Sequence, residues 1–272
     1  MKRFTIIAHV VAVLALCSTP FAVSAQPAYP SKPVRIMVGA SAGGGTDIIA
    51  RMLAEKFGAA FKEAFIVENR PGASNTIAAD VTAKATPDGH TLLVATNTGQ
   101  AIAPHLIKLS FDPIKDLTPI ALIVTVPNVL VVNQQIGAKD TKELIAMMNA
   151  KPDTYSYASS GVGSTQHLAG EGFKLATGVK MTHVPYKGSS QAHLDLIAGS
   201  VQVMFDTTSS AMAQIKAGKL KALAVTTPKR AAELPDVPTL AEAGVPGFEM
   251  STWYGLFVTT GAPKEVIARL VD

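Results

Sequence analysis

Cysteine is almost absent from this sequence, because its one copy is Cys17. A single cysteine excludes an internal disulfide framework, and the loss of Cys17 with an N-terminal signal would also exclude a catalytic or metal-binding thiolate. Charged residues are also few, at 16% of the chain. Without Lys2 and Arg3, 22 basic and 20 acidic side chains remain, a net charge of +2 with no basic cluster, and this balance argues against a nucleic-acid partner.

Apolar runs long enough to cross a bilayer are absent, and at the N-terminus the shorter run Ile6–Leu16 follows Lys2 and Arg3. The run is too short to span a bilayer, and a small-x-small site, Val23-Ser24-Ala25, follows it. We therefore predict a signal peptide over residues 1–25, and removing 25 of 272 residues leaves 247. The alternatives are a membrane anchor, for which the run is short, and a lipoprotein, which the bulky Leu16 disfavours.

The first half of the chain alternates strands and helices, which predicts an α/β fold. The strand–helix–strand–helix–strand order implies a parallel sheet with right-handed crossovers. Apolar residues at helical spacing and turn residues such as Pro87-Asp88-Gly89 set the boundaries. The predicted strands are Val34–Val38, Phe65–Glu68 and Thr91–Ala95, and the predicted helices are Asp47–Phe57 and Thr76–Ala85.

The second half continues the alternation after a long extended apolar run, Ile120–Val132, which is broken by Pro127 and which we expect to cross from one lobe to another. The predicted strands are Tyr155–Ala158, Met181–Val184, Val201–Phe205, Ala222–Thr226 and a return strand at Thr252–Val258. The predicted helices are Thr141–Asn149, Thr165–Ala176, Gln191–Ala198, Ala211–Ala217 and Pro263–Asp272.

Two segments share one pattern of a strand, a bend of small residues and a helix start. The bends are Gly39–Gly45 and Ser159–Gly163. Small residues let backbone N–H groups approach a ligand, and a helix N-terminus adds about half a positive charge. Two such bends on different lobes predict an anion held between facing surfaces.

Seven motifs from Tyr29 onward resemble, in order, the tripartite tricarboxylate transporter substrate-binding proteins, also called the Bug family. They are PSKPVR at Pro30–Arg35, AGGGTD at Ala42–Asp47, VENRPGA at Val67–Ala73, PDGHTL at Pro87–Leu92, SSGVGS at Ser159–Ser164, VPYKG at Val184–Gly188 and MFD at Met204–Asp206.

The resemblance implies a periplasmic binding protein of the type II-like class, with two lobes of parallel-rich sheet joined by two hinge strands. Residues 26–122 and 252–272 would form lobe 1, and residues 123–251 lobe 2. The implied function is capture of a small carboxylate for the membrane permease subunits of a tripartite transporter, or for a signalling system in some members. We expect a monomer with no cofactor and no metal. Family members usually continue past the position that corresponds to residue 272, so the resemblance leaves open whether lobe 1 is complete in this sequence.

Ligand contacts are predicted at the ends of the predicted strands. Thr46 either caps its helix or binds a carboxylate, whereas Asp47 would repel one and suits a cap, an amino group or a water. His167 is more typical of a packed helix residue, and Asp206 either faces a ligand amine or caps the next helix. The full predicted set is Gly44, Gly45, Thr46, Asp47, Asn97, Thr98, Ser160, Gly161, Gly163, Ser164, Thr165, His167, Gly188 and Asp206.

A secreted serine hydrolase is the alternative from another class, because Gly39–Gly43 matches the G-x-S-x-G elbow around Ser41. Three features argue against it. Gly43–Gly45 delays the helix, the motif follows the first strand rather than an interior one, and no histidine follows His193. A nucleotide-binding loop is also disfavoured, since no G-x-G-x-x-G or Gly-Lys-Ser/Thr motif is present.

Overall fold

A computed structural model describes residues 29–272, so the predicted signal peptide lies outside the described residues. Within them lie nine strands and seven α-helices. The strands are β1 (Val34–Val38), β2 (Phe65–Asn69), β3 (Thr91–Thr96), β4 (Leu117–Asn133), β5 (Ser156–Ser159), β6 (Thr182–Pro185), β7 (Val203–Thr207), β8 (Leu220–Val225) and β9 (Ser251–Thr259). The helices are α1 (Gly45–Phe61), α2 (Thr76–Ala83), α3 (Thr141–Ala150), α4 (Thr165–Thr177), α5 (Ser189–Ala198), α6 (Thr208–Lys216) and α7 (Lys264–Val271).

The strand order is β2-β1-β3-β9-β4-β7-β5-β6, with β8 paired to β4. Strand β1 is parallel to both β2 and β3, which confirms the predicted parallel unit. Strand β9 returns antiparallel to β3, pairing Leu92 with Val258. The mixed α/β sheet places the carboxyl ends of β1 and β3 side by side, where the loops Gly39–Gly44 and Asn97–Ile102 begin.

Strand β4 belongs to both halves of the sheet. Its first part, Leu117–Pro127, pairs with β9, and its last residues pair with β7 and β8. The prediction that Pro127 breaks this strand is wrong, because the strand is continuous over 17 residues. Proline has no N–H to donate, and Pro127 stands where β4 leaves β9 for β7, so the missing donor costs little.

Alternation along β4 divides the core of the second half into two layers. Leu130 and Val132 pack in the layer that contains Phe173 of α4, whereas Val129 and Val131 pack in the layer that contains Leu196 of α5. Successive side chains of a strand point to opposite faces, so helices cover both faces of this part of the sheet.

The core of the first half joins β1, β3 and β4 to helix α2. Met37, Leu93 and Leu117 are almost fully buried and pack with Ala78 and Ala79. The small alanines let α2 approach the sheet closely. None of the helices in residues 29–272 has both the length and the apolar content needed to span a lipid bilayer.

Three helices begin earlier than the sequence predicts. Helix α1 starts at Gly45 rather than Asp47. Helix α5 starts at Ser189 rather than Gln191, and α6 starts at Thr208 rather than Ala211. Segment Thr98–Ile102, which we did not predict as helical, forms a single π-helical turn after β3. The shifts of α5 and α6 move helix N-termini to the ends of strands β6 and β7, where the candidate site lies.

Candidate functional site

Asp47 anchors the first loop from inside helix α1. Its Oδ2 accepts from the Gly43 N–H and from Arg51 Nε, each at 2.9 Å, and its Oδ1 accepts from Asn69 Nδ2 at 2.9 Å. Asn69 Nδ2 also donates to the Ala40 carbonyl at 3.0 Å. Burial opposes ionisation, but these hydrogen bonds and Arg51 together lower the pKa of Asp47. Its carboxylate therefore holds the loop and has no free face for a ligand.

Helix α1 begins without a side-chain cap. Gly44 is its N-cap residue, and no side chain accepts from the first turn. Thr46 and Asp47 lie inside the helix, so the alternative in which one of them is its N-cap residue is wrong. The first N–H groups of a helix have no partner within the helix, so those of α1 are available to an anion.

The second loop is held by side chains of helix α4. Ser164 caps the helix by accepting from His167 N at 3.1 Å, and the Gly163 N–H donates to His167 Nδ1 at 3.0 Å. Gly161 and Gly163 have positive φ angles of 138° and 75°, which favour glycine. The His167 ring stacks on that of His183, with centroids 4.1 Å apart. Gly163, Ser164 and His167 thus shape the loop with groups that are already paired.

Gln166 connects the second loop to strand β7. Its Oε1 accepts from Ser160 Oγ at 2.8 Å, and its Nε2 donates to Asp206 Oδ1 at 3.4 Å. Beside it, the Thr165 hydroxyl lies 2.8 Å from that of Thr252 on β9.

Asp206, near the end of β7, is fully buried. Its Oδ1 accepts from Ser189 Oγ at 2.7 Å and from the Thr207 N–H at 2.8 Å, and its Oδ2 lies 2.7 Å from His193 Nε2. Burial opposes charge on both residues, but the contact between them lowers the pKa of Asp206 and raises that of His193. The carboxylate, predicted to face the cleft, instead orients the side chains that do.

A cavity lies where helices α1, α4, α5 and α6 begin. Four N-termini each contribute a partial positive charge, and every side chain in the lining is uncharged. The lining residues are Ala40, Gly44, Gly45, Thr46, Asn75, Thr96, Thr98, Ser160, Gln166, Ser189, Thr207, Thr252 and Tyr254. Such a lining can bind an anion through N–H groups and hydroxyls.

Residues from the two halves of the chain also contact each other at the site. Ser41 Oγ lies 2.9 Å from Ser190 Oγ, and the Ser41 N–H donates to the Lys187 carbonyl at 3.2 Å. A Cβ on Gly188 would collide with Ser41, so Gly188 permits this approach. The Thr98 hydroxyl accepts from the Thr165 N–H at 3.4 Å.

Five predicted residues line the cavity, namely Gly44, Gly45, Thr46, Thr98 and Ser160. Gly161 lines an adjoining cavity that shares Asn75 and Ser160 with the first. Asn97 instead donates to the Ser251 carbonyl at 3.0 Å, tying β3 to β9. Residues that the structure does not bring to the wall are Asp47, Asn97, Gly163, Ser164, Thr165, His167, Gly188 and Asp206.

Sequence reasoning missed much of the wall formed by the second half of the chain. Ser189 directly follows the predicted Gly188, and Thr207 directly follows the predicted Asp206, so each omission is an error of one residue. Thr252 and Tyr254 are two residues apart on β9 and share a face, which an alternation argument could have found.

The serine hydrolase hypothesis gains no support from the geometry around Ser41. Strand β1 lies between β2 and β3, so the argument that the motif follows a non-interior strand is wrong. The Ser41 hydroxyl nevertheless contacts Ser190, and among the described residues no histidine is hydrogen-bonded to it. Within residues 29–272, no cluster of three or more His, Cys, Asp or Glu side chains is suited to a metal ion.

Comparison with known families and sequences gives a consistent match. The family model described as the tripartite tricarboxylate transporter family receptor matches residues 49–272. The "UPF0065 protein in tcbD-tcbE intergenic region" of Pseudomonas sp. (strain P51) is 38% identical over 266 residues, covering 96% of this chain and 79% of that protein.

Solved structures match the fold closely. Rpa4515 of R. palustris with adipate has a TM-score of 0.87 and 37% identity, covering 89% of this chain and 81% of that one. The periplasmic binding protein BugD gives a TM-score of 0.85 and 39% identity over 89% and 81% of the two chains. MatC of Rhodopseudomonas palustris with bound malate has a TM-score of 0.83 and 34% identity, covering 89% of this chain and 83% of that one. The fold is that of the periplasmic binding proteins.

Proposed function

The chain belongs to the tripartite tricarboxylate transporter receptor family, and from this membership and its pocket we propose that it binds a small carboxylate between two lobes. The observation that carries the proposal is the uncharged cavity at four helix N-termini. A carboxylate there would be held by N–H groups, hydroxyls and bridging water rather than by arginine or lysine. The protein is a solute-binding protein, and the relatives that bind adipate and malate support an acid as its solute.

The proposed lobes are residues 26–122 with 252–272, and residues 123–251. Strands β4 and β9 would be the hinges, because they pair with each other and run between the two halves of the sheet. A ligand that touches both halves stabilises their closed arrangement. The ligand contacts would come from the predicted residues that line the cavity, together with Ser189, Thr207, Thr252 and Tyr254.

The setting of this binding is also part of the proposal. Residues 1–25 would direct export to the periplasm and be removed, and the loaded protein, as a monomer, would deliver its ligand to the membrane permease subunits of a tripartite transporter. The protein would act by binding alone, without catalysis. Family membership and the N-terminal sequence pattern support these steps.

A thermal-shift screen tests the proposal directly. Purified protein is heated with a panel of small carboxylates, with their esters and neutral analogues as controls. A ligand at about 100 times its dissociation constant stabilises the fold by roughly 2.7 kcal/mol, which is readily measured. A shift with one acid but not its ester is expected. The absence of any shift, together with turnover of an ester, would contradict the proposal and favour chemistry at Ser41.

A further inference from the structure

The hydroxyl of Ser189 donates its proton to Asp206, which does not line the cavity. Ser189 lines the cavity and is 4% exposed, and its Oγ lies 2.7 Å from Asp206 Oδ1. An ionised carboxylate only accepts hydrogen bonds, so Ser189 must be the donor. The Ser189 oxygen therefore has lone pairs, but no proton, for a ligand in the cavity.

The same carboxylate fixes the orientation of Gln166. Its Nε2 faces Asp206 Oδ1, and exchanging the amide oxygen and nitrogen would set oxygen against oxygen. Gln166 Oε1 therefore faces Ser160 Oγ at 2.8 Å and accepts its proton. Ser160, like Ser189, is left with only acceptor capacity towards the cavity.

Donors are concentrated elsewhere in the cavity wall. The uncapped first turn of α1 offers N–H groups. The Thr98 oxygen accepts from the Thr165 N–H, so its own proton remains free for another acceptor. The cavity thus has a donor region suited to a carboxylate and an acceptor region at Ser160 and Ser189.

The geometry points to a ligand that carries a hydroxyl or ammonium donor besides its carboxylate, so that a hydroxy or amino acid binds more tightly than the plain acid of the same length. Carboxylate oxygens and the Ser160 and Ser189 oxygens are all acceptors, and a plain acid would reach the serines only through a water. This inference rests on the proposed function and specifies its ligand class.

Isothermal titration with matched acids tests it. The pairs are malate against succinate, glutamate against glutarate, and 2-hydroxyadipate against adipate. In at least one pair the donor-bearing acid should bind about fivefold more tightly or better. Ser189→Ala and, separately, Ser160→Ala should bring that ratio close to one.

Thr141→Val is the matched control for Ser189→Ala, because Thr141 is also a buried hydroxyl residue at the first position of a helix, outside this cavity. The control should keep the wild-type ratio. Ser160 is only half-buried, so its variant tests the inference even if Ser189→Ala fails to fold.

Three results separate the two proposals. Equal affinities within every pair, with measurable binding, would overturn this inference and leave carboxylate binding intact. A ratio that survives both serine variants would overturn it as well. No binding of any acid would refute the proposed function itself, and this inference with it.

Discussion

A single added methyl group at Gly45 should weaken ligand binding. A Cβ at this position would lie 2.6 Å from Tyr254 Oη and 2.8 Å from both Ser209 Oγ and Thr207 Oγ1. Ordinary contact begins at 3.4 Å, so the methyl group is about 0.6–0.8 Å too close to three oxygens at once. Since none of the three is the end of a long flexible side chain, the backbone of α1 must move.

The direction of that movement determines which property changes. Gly45 begins α1, whereas the three oxygens belong to α6, β9 and the end of β7. Moving α1 away relieves the contact and widens the cavity without exposing the core. Overpacking typically costs about 1–3 kcal/mol, which corresponds to a loss of affinity of roughly 5- to 150-fold. The unfolding free energy should change less, because alanine is favoured over glycine in helices by about 1 kcal/mol.

The measurement compares Gly45→Ala with Gly58→Ala in the same helix. A Cβ on Gly58 would meet the Glu63 carbonyl at an ordinary 3.5 Å. Titration with the acid that stabilises the protein most, and denaturation in urea, should show lost affinity for Gly45→Ala only. Wild-type affinity in Gly45→Ala, or an equal loss of affinity in Gly58→Ala, would refute the argument. Ligand binding would then not depend on the close approach of Gly45 to the three oxygens.

Three further predictions concern buried or half-buried polar groups. Asp47→Ala should lower the ligand affinity, and should lower the unfolding free energy by about 1–3 kcal/mol, because the first loop loses the carboxylate that holds it. Titration measures the affinity and urea denaturation the unfolding free energy. An unchanged affinity would contradict this prediction. Burial lowers the pKa of His183 to about 4, so its contribution to stability is present above about pH 6.5 and lost as the pH falls towards 4. Denaturation of His183→Gln between about pH 4 and 7 should show a flatter pH dependence than wild type, and an unchanged slope would exclude His183 as its source. Asp206→Ala should cost about 3–5 kcal/mol in urea denaturation, because it leaves buried His193 without its carboxylate, and a loss below about 1 kcal/mol would show that the pair is dispensable.

Local sequence signals predicted the strands and helices well and the cavity wall only in part. Strand β1, the glycine bend and α1 are adjacent in sequence, so their pattern was sufficient to find Gly44, Gly45 and Thr46. Tyr254 reaches the same wall because β9 pairs with β3 and β4, strands more than a hundred residues earlier. No local pattern reports such pairing, because the register depends on the completed sheet.

Asp206 illustrates a different limit. Its place at the end of β7 was predicted correctly, but whether a side chain there faces a ligand depends on what packs over it. Ser189 and Gln166 cover the carboxylate, and His193 contacts its second oxygen. A charge buried in this way is retained only with partners that satisfy it. The same partners determine which serine protons remain available, so the residue predicted as a ligand contact instead controls the hydrogen-bonding character of the wall in front of it.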